Sequence, residues 1–211
     1  MKRFMLAWLF LASFAHAATL EGGAGILYGP NYWFSLEAPA GWVLDNQSAV
    51  SQGLHAVFYP AGSSWADAPV VFYGNARGIT PLEKTAEQMA HADIADFRAS
   101  GSTDYAGHFV ENWILREGRV AQIWKFEGDK RDSFEAIAYV AERKTINFIV
   151  MSAHTKKDRD AAWPQFRQLV LSYQYLGDDV RFETKKQSFP APTRRSRDRS
   201  QGLSRARRRL G

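Results

Sequence analysis

The sequence predicts an α+β fold, a three-layer α/β/α sandwich with a central antiparallel sheet. Three observations predict it. Four apolar segments at 105–115, 120–127, 134–141 and 146–153 follow one another through links short enough for hairpins, and strands joined in this way run antiparallel. Two of these segments are apolar on both parities. In 146–153 one face reads Ile146, Phe148, Val150 and the other Ile149, Met151, Ala153; 105–115 carries Tyr105, Phe109, Trp113 and Leu115 against Val110 and Ile114. A sheet with one wet face alternates cleanly, so both faces are expected to be covered, by two helices and an N-terminal hairpin.

Taken in order, the chain opens with the layout of a secretory signal peptide over 1–17. Lys2 and Arg3 precede an apolar run of 12 residues (4–15), and Ala15-His16-Ala17 is a small-residue cleavage site. A membrane span needs roughly 20 residues. Residues 18–24 are a flexible, Gly-rich entry. One domain is expected over 25–176 and a disordered basic tail over 177–211. The chain has no cysteine, which excludes disulfides, a thiolate nucleophile and sulfur-ligated metals. This layout points to export to a bacterial periplasm or medium.

Residues 32–45 read as an opening hairpin. An aromatic strand (32–37) runs into Pro39-Ala40-Gly41 and a second apolar run from Trp42. Residues 55–59 and 70–73 are further strands around the loop that carries Trp65. A helix is expected from Thr80. Thr80 and Glu83 form a capping box around Pro81, and Leu82, Ala86, Met89, Ile94 and Phe97 form its buried stripe. The closing helix spans about 164–173, with Phe166, Leu169, Val170 and Tyr173 at the spacing of one buried face. Pro164 is tolerable only in the first turn, so any helical turn over 156–162 must bend before it.

Two packing motifs accompany this order: Phe-x-Leu-x-x-Pro-x-x-Trp at 34–42 and Phe-x-x-x-Val-x-Ser-Tyr at 166–173. With the order of elements they resemble the PsbP-like fold family, over about residues 25–176. The resemblance implies an accessory or binding role. Known members include a photosystem oxygen-evolving subunit, a Ran-binding relative and exported bacterial proteins of unclear role. It transfers no site residue to this chain.

No nucleophile elbow, phosphate-binding glycine loop, dinucleotide fingerprint or zinc-helix motif is present. No cofactor is implied, and no metal, because a metal needs converging ligands. His91 is expected on the solvent side of its helix. His108 and Glu111 are three apart on a strand and are expected on opposite faces, which bars an acid–base pair. Most tryptophans are expected in the core. Trp65 is the exception, because it stands in a loop of small and polar residues. Tyr59, Trp65, Asp67 and Tyr73 therefore form the candidate surface for a protein partner or small ligand.

The net charge of +5 is unevenly spread. From residue 181 onward, eleven Arg and Lys face only Glu183 and Asp198. The preceding domain is acidic. Arg194, Arg195, Arg197, Arg199, Arg205, Arg207, Arg208 and Arg209 form the candidate contact with an anionic envelope surface. The expected function is an exported, non-enzymatic accessory or binding protein of unknown partner. Two alternatives stand beside it. One is a structural protein held to the envelope by its basic tail. The other is a hydrolase whose site assembles only in the tertiary fold, from His55, His108 or His154 with Asp67 or Glu111.

Overall fold

A computed structural model describes residues 20–179; the expected signal peptide and most of the basic tail lie outside them. The described residues form a mixed α/β fold dominated by strands in two antiparallel sheets. The elements are β1 (Leu20–Glu21), β2 (Ala24–Gly29), β3 (Tyr32–Glu37), β4 (Trp42–Asp45), β5 (Val57–Pro60), β6 (Val70–Gly78), α1 (Ala86–Ala99), β7 (Ala106–Ile114), β8 (Val120–Glu127), β9 (Phe134–Ala141), β10 (Thr145–Ala153), α2 (Lys156–Ala161), α3 (Trp163–Leu171) and β11 (Gln174–Gly177). The large sheet has eight strands in the order β1-β4-β5-β6-β10-β9-β8-β7, and the small one has three, β11-β3-β2. The four-strand meander expected from the sequence is present as β7 to β10.

Strand periodicity divides the core. On β9, Ala136, Ala138 and Val140 join one apolar cluster, with Phe166, Leu169 and Val170 of α3 and with Phe34 and Leu36 of the small sheet. Ile137 and Tyr139 join a second cluster, with Ala86, Met89 and Ala90 of α1. β10 divides likewise, Ile149, Met151 and Ala153 against Ile146 and Val150. The small sheet closes on the large one at Gly74, where an added Cβ would lie 2.9 Å from Leu27 Cδ2 and 3.1 Å from Leu36 Cδ1.

Four expectations are corrected. Residues 32–45 are not a hairpin: β3 pairs with β2 and β11, and β4 pairs with β1 and β5. The chain crosses between sheets at residues 38–41. Phe34 packs 5.3 Å from Tyr173, while Trp42 stacks on Phe72 at 4.0 Å. The first helix starts at Ala86, not Thr80. Thr85 is its cap, accepting from Gln88 N, and Gln88 answers it in a complete capping box. Thr80 Oγ1 does accept from Glu83 N at 3.0 Å, but no helix follows, and Leu82 is 83% exposed.

β7 is not buried on both faces. It is the edge of the sheet, and among its nine residues only Trp113 is buried. Phe109 and Ile114 stand in solvent. Finally, a bulge between Phe109 and Glu111 shifts the register: His108 lies opposite Lys125 and Glu111 opposite Ile123. Lys125 and Ile123 share a face, so His108 and Glu111 do too. One inserted residue reverses the parity argument. The closing helix does bend where Pro164 requires it, dividing into α2 and α3 at Ala162.

Candidate functional site

The strand β9 reads Phe-Glu-Ala-Ile-Ala-Tyr-Val-Ala. Alternation puts Glu135 on the parity of Ile137 and Tyr139, facing the α1 side. α1 ends at Ala99. Glu135 is thus left at the floor of a cleft of about 520 Å³, a size suited to a small ligand. Three cross-strand neighbours make that floor: Val71 pairs with Ser152, and Ser152 with Glu135. Trp65 and Tyr73 form one wall, ring against ring edge at 6.4 Å. Phe97, Ser100 and Ser102 from the end of α1 and residues 129–131 from the β8–β9 loop complete the walls.

Glu135 is 9% exposed. Tyr105 OH donates to its Oε2 at 3.0 Å. Its Oε1 accepts no hydrogen bond among the described residues. Burial disfavours the charged carboxylate. The Tyr105 bond opposes that effect, and the nearby charges of Asp129 and Asp93 reinforce it, so the pKa is pushed up to about 7. Arg131 opposes in a smaller measure. Tyr105 is itself clamped between Phe97 and Phe126, stacked at 4.3 and 5.5 Å.

The mouth is held by the β8–β9 loop. Asp129 Oδ1 accepts from Arg131 N and Ser133 N, and Ser133 Oγ donates to Asp129 Oδ2 at 2.7 Å. Lys130 N donates to Ser102 Oγ at 3.2 Å, and Lys130 Nζ donates to Ser100 O. Behind the cleft, Asp93 accepts from Tyr139 OH at 2.6 Å and from Arg77 at 2.9 Å. Burial nonetheless leaves the Asp93 pKa raised.

The residues singled out in the sequence divide. Trp65 and Tyr73 line the cleft together. Tyr59 is buried, donating to Asp45 Oδ2 at 2.8 Å, with its own pKa pushed up to about 12 by burial and by that carboxylate. It offers no surface to a partner. Asp67 is exposed and accepts from Ser64 Oγ within its own turn. The eight tail arginines lie outside the described residues. His55, His108 and His154 are exposed, and none hydrogen-bonds a carboxylate among the described residues. His91 is exposed on α1, 4.0 Å from Glu87.

Glu135 was missed by sequence reasoning. Its signal was an acid on the inward parity of an otherwise apolar strand. A second cavity, of about 510 Å³, lies between β2 and the large sheet and includes Tyr28, His55 and Asn75. It has no buried charged group in its lining.

No family model matches the sequence, and no curated relative matches it. Among solved structures, the chain is similar to the solution structure of cyanobacterial PsbP (CyanoP) from Synechocystis sp. PCC 6803. The identity is 12% and the TM-score 0.48, over 79% of this chain and 99% of that one. Family membership does not follow from a likeness at this level.

Proposed function

We propose that this protein is an exported, non-enzymatic binding module that holds a small ligand in the cleft floored by Glu135. The observation that carries the reading is the carboxyl itself. It is nine-tenths buried, lines a cavity of ligand size and has one oxygen without a partner among the described residues. The side-chain atoms buried without a partner among the described residues are Trp113 Nε1, Trp124 Nε1 and Gln165 Oε1, so Glu135 Oε1 still reaches solvent and is available to a ligand donor that enters the cleft.

The scattered histidines favour binding over acid–base catalysis, because such catalysis needs groups within hydrogen-bond reach of one another. Export is favoured by the basic, apolar and small-residue succession of residues 2–17. No helix among the described residues is long and apolar enough to cross a membrane. The same proposal reads the fold as a three-layer α/β/α sandwich, with α1 against one face of the large sheet and α3 with the small sheet against the other.

The test is a thermal shift with the small-molecule extract of the source cells. The wild type gains melting temperature, and a variant with the cleft filled, Ser152→Trp, does not. An equal gain in both, or none in the wild type, refutes the reading.

The charge split favours a second reading, in which the basic tail holds the protein to an anionic envelope surface. Retention on anionic vesicles then falls with salt and with deletion of residues 194–209. Salt-insensitive retention, or retention unchanged by that deletion, defeats it.

A further inference from the structure

The cleft's polar groups are unequally committed, and the remainder defines a ligand chemistry. Ser100 Oγ donates to Phe97 O at 2.8 Å. Ser102 Oγ receives Lys130 N, and Ser133 Oγ is spent on Asp129. Lys130 Nζ is held by Ser100 O. Left uncommitted among the described residues are Glu135 Oε1 and the hydroxyls of Tyr73 and Ser152, beside an aromatic wall of Trp65 and Tyr73. A ligand carboxylate placed at the floor would meet Glu135, of like charge.

We propose that the cleft takes a small compound in which an ammonium group is joined to a flat apolar body, with the ammonium donating to Glu135 Oε1 and the flat body against Trp65 and Tyr73. This rests on the binding reading above. A carboxylate is complementary to an ammonium by charge and as a hydrogen-bond acceptor, and an aromatic wall is complementary to a flat apolar body through ring packing. At the mouth, the exposed guanidinium of Arg131 forms no ion pair among the described residues. A ligand that also carries a carboxylate has a partner there. The shared chemistry therefore covers both a simple arylalkylamine and an aromatic amino acid.

The arrangement makes binding depend on pH. An ammonium ligand needs Glu135 ionised. The groups around it are Tyr105 in contact, Tyr73 on β6, Asp93 on α1, and Asp129, Lys130 and Arg131 on the β8–β9 loop. With the carboxyl titrating at about 7, its ionised fraction rises about tenfold between pH 6 and pH 8, and affinity follows that fraction.

Isothermal titration of the full chain with four probes tests this: tryptamine, tryptophan, indole-3-propionate and 3-methylindole. Tryptamine is expected to bind about tenfold tighter at pH 8 than at pH 6. Glu135→Gln is expected to lose both that pH dependence and at least about tenfold in affinity at pH 8. Tighter binding of tryptophan, with the gain abolished by Arg131→Ala, supports the amino-acid arm; equal or weaker binding of tryptophan supports the simple amine. If Glu135→Gln does not fold, the pH dependence of the wild type decides alone. Indole-3-propionate or 3-methylindole binding as well as tryptamine overturns the ligand class but leaves the cleft a binding site. Silence from all four probes also overturns it, while the binding reading is judged separately by the filled-cleft thermal shift.

Discussion

Tyr105 OH and Glu135 Oε2 meet at 3.0 Å across thirty residues of sequence. The bond ties the loop after α1 to the middle of the large sheet. It also gives a buried acid one donor and leaves its second oxygen open to the cleft. The ring of Tyr105 cannot easily move away, because Phe97 and Phe126 sandwich it.

Glu135 therefore makes stability depend on pH with a definite sign. Its pKa is about 7 in the fold against an ordinary 4.5. Between those values the folded chain keeps a proton that the unfolded chain releases. The contribution is complete below about 4.5 and is lost as pH rises through about 7. Its size is about 3 kcal/mol. Glu135→Gln keeps an acceptor for Tyr105 and removes the titration. The variant is expected to match the wild type near pH 4 and exceed it at pH 8. Urea denaturation at both values checks this, and an unchanged pH slope in the variant counts against it. Asp93, whose pKa is raised in the same direction, keeps a residual slope in both proteins.

The two threonine boxes before α1 separate by mutation. Thr85 receives Gln88 N and is answered by the Gln88 side chain. Thr80 binds only its own turn. Thr85→Ala is expected to cost about 1 kcal/mol, a melting shift of about 2–4 °C for a chain of this size. Thr80→Ala is expected to cost a few tenths at most. Equal losses would show that helix formation begins at residue 80 after all.

Those boxes also show what the sequence could reveal. Thr-Pro-Leu-Glu and Thr-Ala-Glu-Gln are equivalent locally, and the choice between them falls to Ala86, Met89 and Ala90, which pack on the sheet. The meander and the stripe of Phe166, Leu169 and Val170 were legible because each is set by local periodicity. The crossing at residues 38–41 was not, because two apolar runs joined by Pro-Ala-Gly look alike whether they pair with each other or with strands elsewhere. The bulge in β7 reversed one parity argument for the same reason. Of the cleft, the loop aromatic Trp65 was visible. The carboxyl beneath it was hidden in an apolar strand, and the partners that define it come from residues 97–105 and 129–133.

A buried network on the opposite side offers a direct measure of hydrogen-bond satisfaction. Asn147 Nδ2 donates to Tyr173 OH at 2.8 Å, and Tyr173 OH donates to Glu142 Oε1 at 3.0 Å. Asn147 is fully buried. Tyr173→Phe keeps the packing against Phe34 but strands the amide donor, an expected loss of about 2 kcal/mol. Tyr32→Phe is the control: its hydroxyl makes no hydrogen bond among the described residues, and little change is expected. Similar denaturation midpoints for both variants would refute the network's role.

Gly128 tests whether the mouth of the cleft is fixed by backbone contact. Its φ of +87° lies in the region that favours glycine. An added Cβ would stand 2.5 Å from Asp104 O and 3.3 Å from Tyr105 N, both backbone atoms that no rotamer change can withdraw. Strain and clash add, so Gly128→Ala is expected to cost at least about 2 kcal/mol. The damage should spread. Pushing residue 104 away loads the Tyr105–Glu135 bond, and displacing residue 128 pulls on the Asp129 turn that holds Arg131. A pH-dependent stability profile is the diagnostic readout. If Gly128 positions Tyr105, the alanine variant loses the donor that favours the ionised Glu135, and the loss of stability with rising pH extends to higher pH from the same onset. A uniform loss at all pH values would limit Gly128 to local strain and leave Tyr105 positioned by its ring stack alone.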